Sequence, residues 1–249
     1  MDAIILAGAP NSGPLREISP AQYEAEIRIA GKPMLDYVLA ALQQVPAIDR
    51  IVVVGAETAL SPELRGGPVT VISPGQSLID SLTNGLNAIS GDQPVLVSTS
   101  DIPLLTREAV EDFLDRCRKL DADIYYSCVA KELNEAKYPG VRRTYVKLAE
   151  GTFTGGNLAL IRPRAARQSQ ALLQKAASLR KKPWQLCQML GWNYLIKLVT
   201  GRLSIPEIEE RVSRMLQLKV VGVVSPYPEV GIDVDKPSDL KLAAKVLSK

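Results

Sequence analysis

The stretch Val95-Leu96-Val97-Ser98-Thr99-Ser100-Asp101-Ile102-Pro103 constrains this chain more than any other. Val95, Leu96 and Val97 form an apolar run with no polar alternation. Such a run predicts a strand buried on both faces, and strands of that kind belong to sheets covered by helices on each side. Small hydroxyl residues follow, and Asp101 stands just past the strand. Pro103 stops the strand, and Thr106 is a good N-cap for a helix from Arg107, with Glu108 in its first turn. In an open α/β sheet, ligands sit beyond the carboxyl ends of the strands. A carboxylate held there can take a hard cation that bridges substrate phosphates. The alternative is that Asp101 only ties down its own turn.

The same pattern recurs upstream. Residues 3–8, 51–55 and 69–72 are short apolar runs, and 34–45 and 78–89 carry one-faced helical periodicity. Strand, helix, strand, strand, helix, strand, helix predicts an α/β fold with a doubly wound, mostly parallel sheet. Further strands are expected at 123–129, 144–148, 157–161 and 219–224, and a closing helix at 237–247. Residues 164–216 read as almost wholly helical, with breaks near Lys182-Pro183, Gly191, Gly201 and Ile205-Pro206. One domain over 1–249 is therefore expected, with a helical insert or cap over 163–217.

The chain contains no histidine. That excludes His-based triads, His-ligated zinc and any imidazole base. Carboxylates, Lys and Arg, backbone amides and a metal remain. Phosphoryl or nucleotidyl transfer suits such a set, because an attacking phosphate is already anionic and catalysis becomes positioning plus charge stabilisation. A net charge of only +3 argues against nucleic acid as partner. Cys117, Cys128 and Cys187 are far apart and odd in number, as expected of a reducing cytosol. Met1-Asp2-Ala3-Ile4 lacks a basic start and a long apolar run, so neither a signal peptide nor a membrane span is expected, and the expected location is cytoplasmic.

The loop Gly8-Ala9-Pro10-Asn11-Ser12-Gly13 has the glycine spacing of a P-loop, but Pro14 and Leu15 stand where Lys and Ser or Thr should be. What remains is a glycine-shaped turn that lets backbone approach a ligand closely. Asp233-Val234-Asp235 is a second carboxylate cluster; in strand geometry its two acids share a face. Asp235 as the cap of the last helix is the competing reading. Thr154-Gly155-Gly156-Asn157 reads either as a ligand-binding segment or as a hairpin turn. Arg142, Arg143 and Lys147 bring cations near it, either to meet a phosphate or as a solvated face.

Together these pieces resemble the MobA-like nucleotidyltransferase superfamily, whose members share a nucleotide-diphospho-sugar transferase or GT-A-like fold. Ile5-Leu6-Ala7-Gly8 is similar to the family's strand end, Gly31-Lys32-Pro33-Met34-Leu35 to its helix start, Gly75 to Leu86 to its base-recognition loop, and Ser100-Asp101-Ile102-Pro103-Leu104 to its metal-binding strand end. The resemblance implies nucleotide binding at Leu6, Ala7, Gly8, Gly75, Ser77 and Ser81. It implies Mg²⁺ on Asp101 and Asp235, with Asp233 behind, and an acceptor at Gly155, Gly156 and Asn157. The implied reaction moves an NMP from a nucleoside triphosphate to a small phosphorylated acceptor, releasing pyrophosphate. The family's first loop carries an Arg and a Lys that clamp the triphosphate. Here Gly13-Pro14 and Glu24 or Ala25 fall at those places; Arg16, the nearest cation in the loop, is the candidate substitute clamp, with Arg28 and Lys236 as alternatives. The missing cations also fit a catalytically silent nucleotide-binding protein, and the D-x-D at 233–235 fits a GT-A-type glycosyltransferase. The stretch after Arg164 lies outside the family's core. Its Lys181, Lys182, Trp184 and Trp192 suggest a membrane-surface or lid role, against plain packing or a homodimer contact.

Overall fold

The computed structural model describes residues 1–61, 64, 68–179 and 191–248. Strand β1 (Asp2–Ala7) leads into a long first loop. Inside that loop, β2 (Arg28–Ile29) and β3 (Lys32–Pro33) form a hairpin that turns through Ala30 and Gly31, at φ 46° and 87°. Positive φ at both central residues is what a two-residue type I′ turn needs. Helix α1 (Met34–Gln43), β4 (Arg50–Gly55), β5 (Val69–Ile72), α2 (Leu78–Asn87), β6 (Val95–Thr99) and α3 (Arg107–Arg118) complete the first half. Then come β7 (Ile124–Ala130), α4 (Lys131–Lys137), β8 (Val146–Leu148), β9 (Gly151–Ile161), α5 (Pro163–Gln168) and α6 (Gln170–Leu179). Helices α7 (Trp192–Val199) and α8 (Ile205–Leu216), strand β10 (Val220–Ser225) and helix α9 (Pro237–Leu247) end the described chain.

The strands make one eight-stranded sheet in the order β10-β7-β9-β6-β1-β4-β5, with β8 added to β9. The β1–β4, β4–β5, β1–β6 and β7–β10 pairs are parallel, and β9 runs antiparallel to β6, β7 and β8. The fold is thus the expected α/β class with a mixed, mostly parallel sheet. The chain leaves β1 toward β4 and β5 on one side, then returns through α2 to β6 on the other. That reversal opens a crevice between β1 and β6 beyond their carboxyl ends, where ligands bind in open α/β sheets.

Two apolar layers cover the sheet. On one face Leu35, Leu39 and Leu42 of α1 and Phe113 of α3 pack on Ile5, Val53 and Leu96. On the other, Ile79, Leu82 and Leu86 of α2 pack on Ile4, Val52 and Val97. A third cluster joins Leu15, Ile27 and Ile29 of the first loop to Leu104, Tyr138, Ile232, Val234 and Ala243. Burial of these aliphatic groups, at roughly 25 cal/mol per Å² of apolar surface, offsets part of the entropy of ordering the loop.

Strand β9 and the helical stretch differ from the sequence-based expectation. Strand β9 begins at Gly151, so Gly155 and Gly156 lie inside a strand and form no hairpin turn. The helical stretch does not stand off as a cap: Ala165, Ala166 and Leu216 are buried in the same cluster as α2, and Glu209 of α8 accepts from the Gly222 amide of β10 at 2.7 Å. Pro206 starts α8, where a proline costs nothing, and Ser204 caps that helix. Lys181, Lys182, Pro183, Trp184 and Cys187 fall outside the described residues. Trp192 is 72% exposed, with Ile196 and Val199 exposed on the same face of α7, while Leu195 and Leu198 pack toward Leu148 and Leu203. Among the described residues, no helix is long and apolar enough to cross a membrane.

Candidate functional site

The β1 end of the crevice is shaped by close backbone packing. A Cβ on Gly8 would lie 2.3 Å from Pro74 Cβ, so only glycine lets the first loop lie flat on the turn that precedes α2. In that turn a Cβ on Gly75 would lie 2.4 Å from Asp80 Cβ, and the Gly75 amide donates to the Ser81 hydroxyl at 3.0 Å. Ser77 caps α2, accepting from the Asp80 amide at 3.1 Å. The Leu6 carbonyl accepts from the Ser100 amide at 3.2 Å, which couples the β1 end to the loop after β6. The expected nucleotide-binding residues Leu6, Ala7, Gly8, Gly75, Ser77 and Ser81 therefore border one wall. Ser77 and Ser81 hold that wall's own shape.

At the β6 end, three carboxylates from two distant segments meet. Asp101, Asp233 and Asp235 each offer an oxygen, and these oxygens lie within 4.8 Å of one another. Two contacts enforce the meeting. The Thr99 hydroxyl donates to Asp101 Oδ1, and the Val234 amide donates to the Asp101 carbonyl at 2.8 Å, laying residues 233–235 alongside. Asp235 is not the helix cap: Lys236 is the N-cap residue of α9, and the Asp239 carboxylate accepts from the Lys236 amide at 3.1 Å. Three hard oxygen donors suit Mg²⁺, which binds through few carboxylates and keeps sites open for phosphate and water. The donor set fits that ion.

Arg143, one of the three cations that the sequence offered as a phosphate contact or a solvated face, lies beside the acids. It lies in the irregular segment between α4 and β8, with its guanidinium ion-paired to Asp233; each side chain is only 12% exposed. Burial pushes its pKa below the ordinary value, against the opposing pull of Asp235, Asp101, Asp239 and Tyr145. Its Nε is buried without a hydrogen bond. The segment is held in place by Glu229, which is 2% exposed. Glu229 Oε1 accepts from the Tyr138 hydroxyl at 2.5 Å and pairs with Lys137 at 2.5 Å. The start of the Arg143 segment is thereby pinned to the turn just before Asp233. In the sequence Arg142, Arg143 and Lys147 stood together as candidates to meet a phosphate, and nothing distinguished one from another.

Arg16 does not reach toward the acids. Its Nη1 donates to the carbonyls of Pro20 and Ala21, both at 2.8 Å, bracing its own loop. Gly155 and Gly156 are small because Tyr126 and Ser127 of β7 fill the space beside them: a Cβ at Gly156 would sit 2.3 Å from the Ser127 hydroxyl. Asn157 comes next in β9. Its neighbour Leu158 pairs with Ser98, which puts Asn157 beside the end of β6, and its Nδ2 is buried without a hydrogen-bond partner. A cleft of about 810 Å³ lies elsewhere, lined among others by Tyr37, Leu105, Tyr138 and Leu247; none of the three aspartates borders it.

Comparison with known proteins identifies the family and the fold. A family profile described as MobA-like NTP transferase domain matches residues 3–185. A hypothetical transferase from Thermus thermophilus is 38% identical, with a TM-score of 0.83 over 96% of this chain and 98% of that one. The 2-C-methyl-D-erythritol 4-phosphate cytidylyltransferase of Thermus thermophilus shares the fold at 15% identity, with a TM-score of 0.59 over the full length of both chains. The bifunctional protein GlmU of Rhizorhabdus wittichii is 32% identical over 102 residues. That match covers 39% of this chain and 22% of the relative, so the chain matches about a fifth of that protein's length.

Proposed function

The chain belongs to the MobA-like NTP transferase family, and from that premise we propose that it transfers an NMP from a nucleoside triphosphate to a small phosphorylated acceptor, with pyrophosphate as product. The observation that carries the reading is the meeting of Asp101, Asp233 and Asp235 at the strand-order reversal. Mg²⁺ held by those carboxylates would supply charge neutralisation for the phosphate oxygens. The chain's own residues do the rest. The flat wall of Gly8 and Gly75 lets backbone approach the nucleotide, and Ser77 and Ser81 keep that wall rigid. Asn157 presents an amide donor to the acceptor, with Gly155 and Gly156 keeping β9 close to β7. No base is required, since a phosphate acceptor is deprotonated at neutral pH. The methylerythritol-phosphate relative, whose printed name specifies a phosphorylated acceptor, supports this substrate class.

A second reading is favoured by Arg16. Because that guanidinium is engaged with Pro20 and Ala21, the first loop brings little charge to a triphosphate, as in a binding protein without turnover. One assay separates the two. Each NTP is incubated with Mg²⁺ and a panel of sugar and polyol phosphates, and pyrophosphate is measured. Acceptor-dependent pyrophosphate release with one NTP is expected; binding without release would establish the silent reading.

A further inference from the structure

The family match leaves open where this chain finds the cation that its first loop lacks, and Asp233 points to the answer. That carboxylate belongs to the three-acid cluster, yet it is already ion-paired with Arg143. A divalent ion among Asp101, Asp233 and Asp235 would bring two positive charges beside the guanidinium, at partly buried side chains. Like charges so near repel, and both cations draw on the Asp233 carboxylate. The fork of Arg143 is also only partly used: Nη1 faces Asp233, while Nε is buried with no hydrogen bond. An arginine with an unspent edge is the side chain suited to take a phosphate by two parallel hydrogen bonds. Its backbone lies in the irregular stretch between α4 and β8 and is not locked into a sheet ladder, so the side chain can turn without breaking the fold.

Resting on the transferase reading above, we propose that Arg143 and the divalent cation compete for Asp233, and that the guanidinium, once the ion takes that carboxylate, pairs with the phosphate chain of the substrate. Arg143 thereby performs from the opposite wall the role that the resemblance would give to Arg16, whose Nη1 braces its own loop at Pro20 and Ala21. The other groups that act on its charge are Asp235, Asp101, Asp239 and Tyr145.

The test uses two probes on the full chain: Mn²⁺ alone, and inorganic pyrophosphate with saturating Mg²⁺, each followed by calorimetric titration. In Arg143→Gln, Mn²⁺ should bind about tenfold tighter, because a competing cation is gone, and pyrophosphate about tenfold weaker. In Arg143→Lys, which keeps the charge without the fork, Mn²⁺ affinity should stay near wild type while pyrophosphate binding falls part of the way. The lysine variant preserves the counter-charge of Asp233 and keeps the proposal testable if the glutamine variant fails to fold. A merely structural arginine would lower the melting temperature without moving the two affinities in opposite directions. Mn²⁺ affinity unchanged or weaker in Arg143→Gln, or pyrophosphate affinity equal to wild type in either variant, overturns the proposal and leaves the transferase reading standing. Wild-type protein that binds neither probe removes both.

Discussion

The two walls of the crevice are built on opposite economies of polar groups. On the β1 side, the hydroxyls of Ser77 and Ser81 and the Nη1 of Arg16 are bonded within their own loops. On the side built from residues 99–101, 143, 157 and 233–235, charge is concentrated. Three acids face one arginine, and Arg143 Nε and Asn157 Nδ2 are buried without hydrogen bonds. Desolvated polar atoms without partners are costly, so a fold keeps them where a ligand completes them. The comparison teaches that the first wall is bonded within itself, and on the proposed function the second wall is the one that carries the chemistry. Asn11 is the exception on the first wall: its Oδ1 is also without a partner, although its Nδ2 donates to Ser19 and Ala21.

The largest expected effect comes from the second wall. Asp101→Asn is isosteric and keeps the backbone contact with Val234, yet it removes one charge from the cluster. Pyrophosphate release should fall at least about a hundredfold with little change in melting temperature. Turnover within a few-fold of wild type would show that the acids are not the reactive wall.

Substitutions on the first wall should act through folding instead. Gly75→Val forces side-chain atoms into Asp80 and the start of α2, and should cost about 1–3 kcal/mol, read as a lower melting temperature. Ser77→Ala deletes the α2 cap and should cost about 1 kcal/mol, a shift of roughly 2–4 °C for a chain of this size. Arg16→Ala should be milder still, about 0.5 kcal/mol, with pyrophosphate affinity changed less than in Arg143→Gln. A large loss of pyrophosphate binding in Arg16→Ala would blur the contrast between the walls and restore Arg16 as the clamp.

The same contrast explains what the sequence made legible. Strands β1, β4 and β6 were readable because a sheet covered on both faces demands unbroken apolar runs, and helices α1, α2 and α3 because one face of each must be apolar. Asp101 and the 233–235 pair were readable as acids at element ends. Strand β9 was misjudged at its start, because Thr154-Gly155-Gly156 has turn chemistry; the glycines are there to make room for Tyr126 and Ser127, neighbours that only the sheet order reveals. Helix α4, Lys-Glu-Leu-Asn-Glu-Ala-Lys, has too little apolar periodicity to register. Arg143 was hidden for a different reason. Its meaning depends on Glu229 pinning Tyr138 near Asp233, a contact across 91 residues.

Calorimetric titration of Mn²⁺ into wild-type protein and Asp101→Asn tests most directly whether the second wall is a metal-dependent site. One binding event in the wild type, lost or weakened at least about tenfold in Asp101→Asn, is the predicted result. Equal Mn²⁺ binding by both proteins, or none by the wild type, would contradict it.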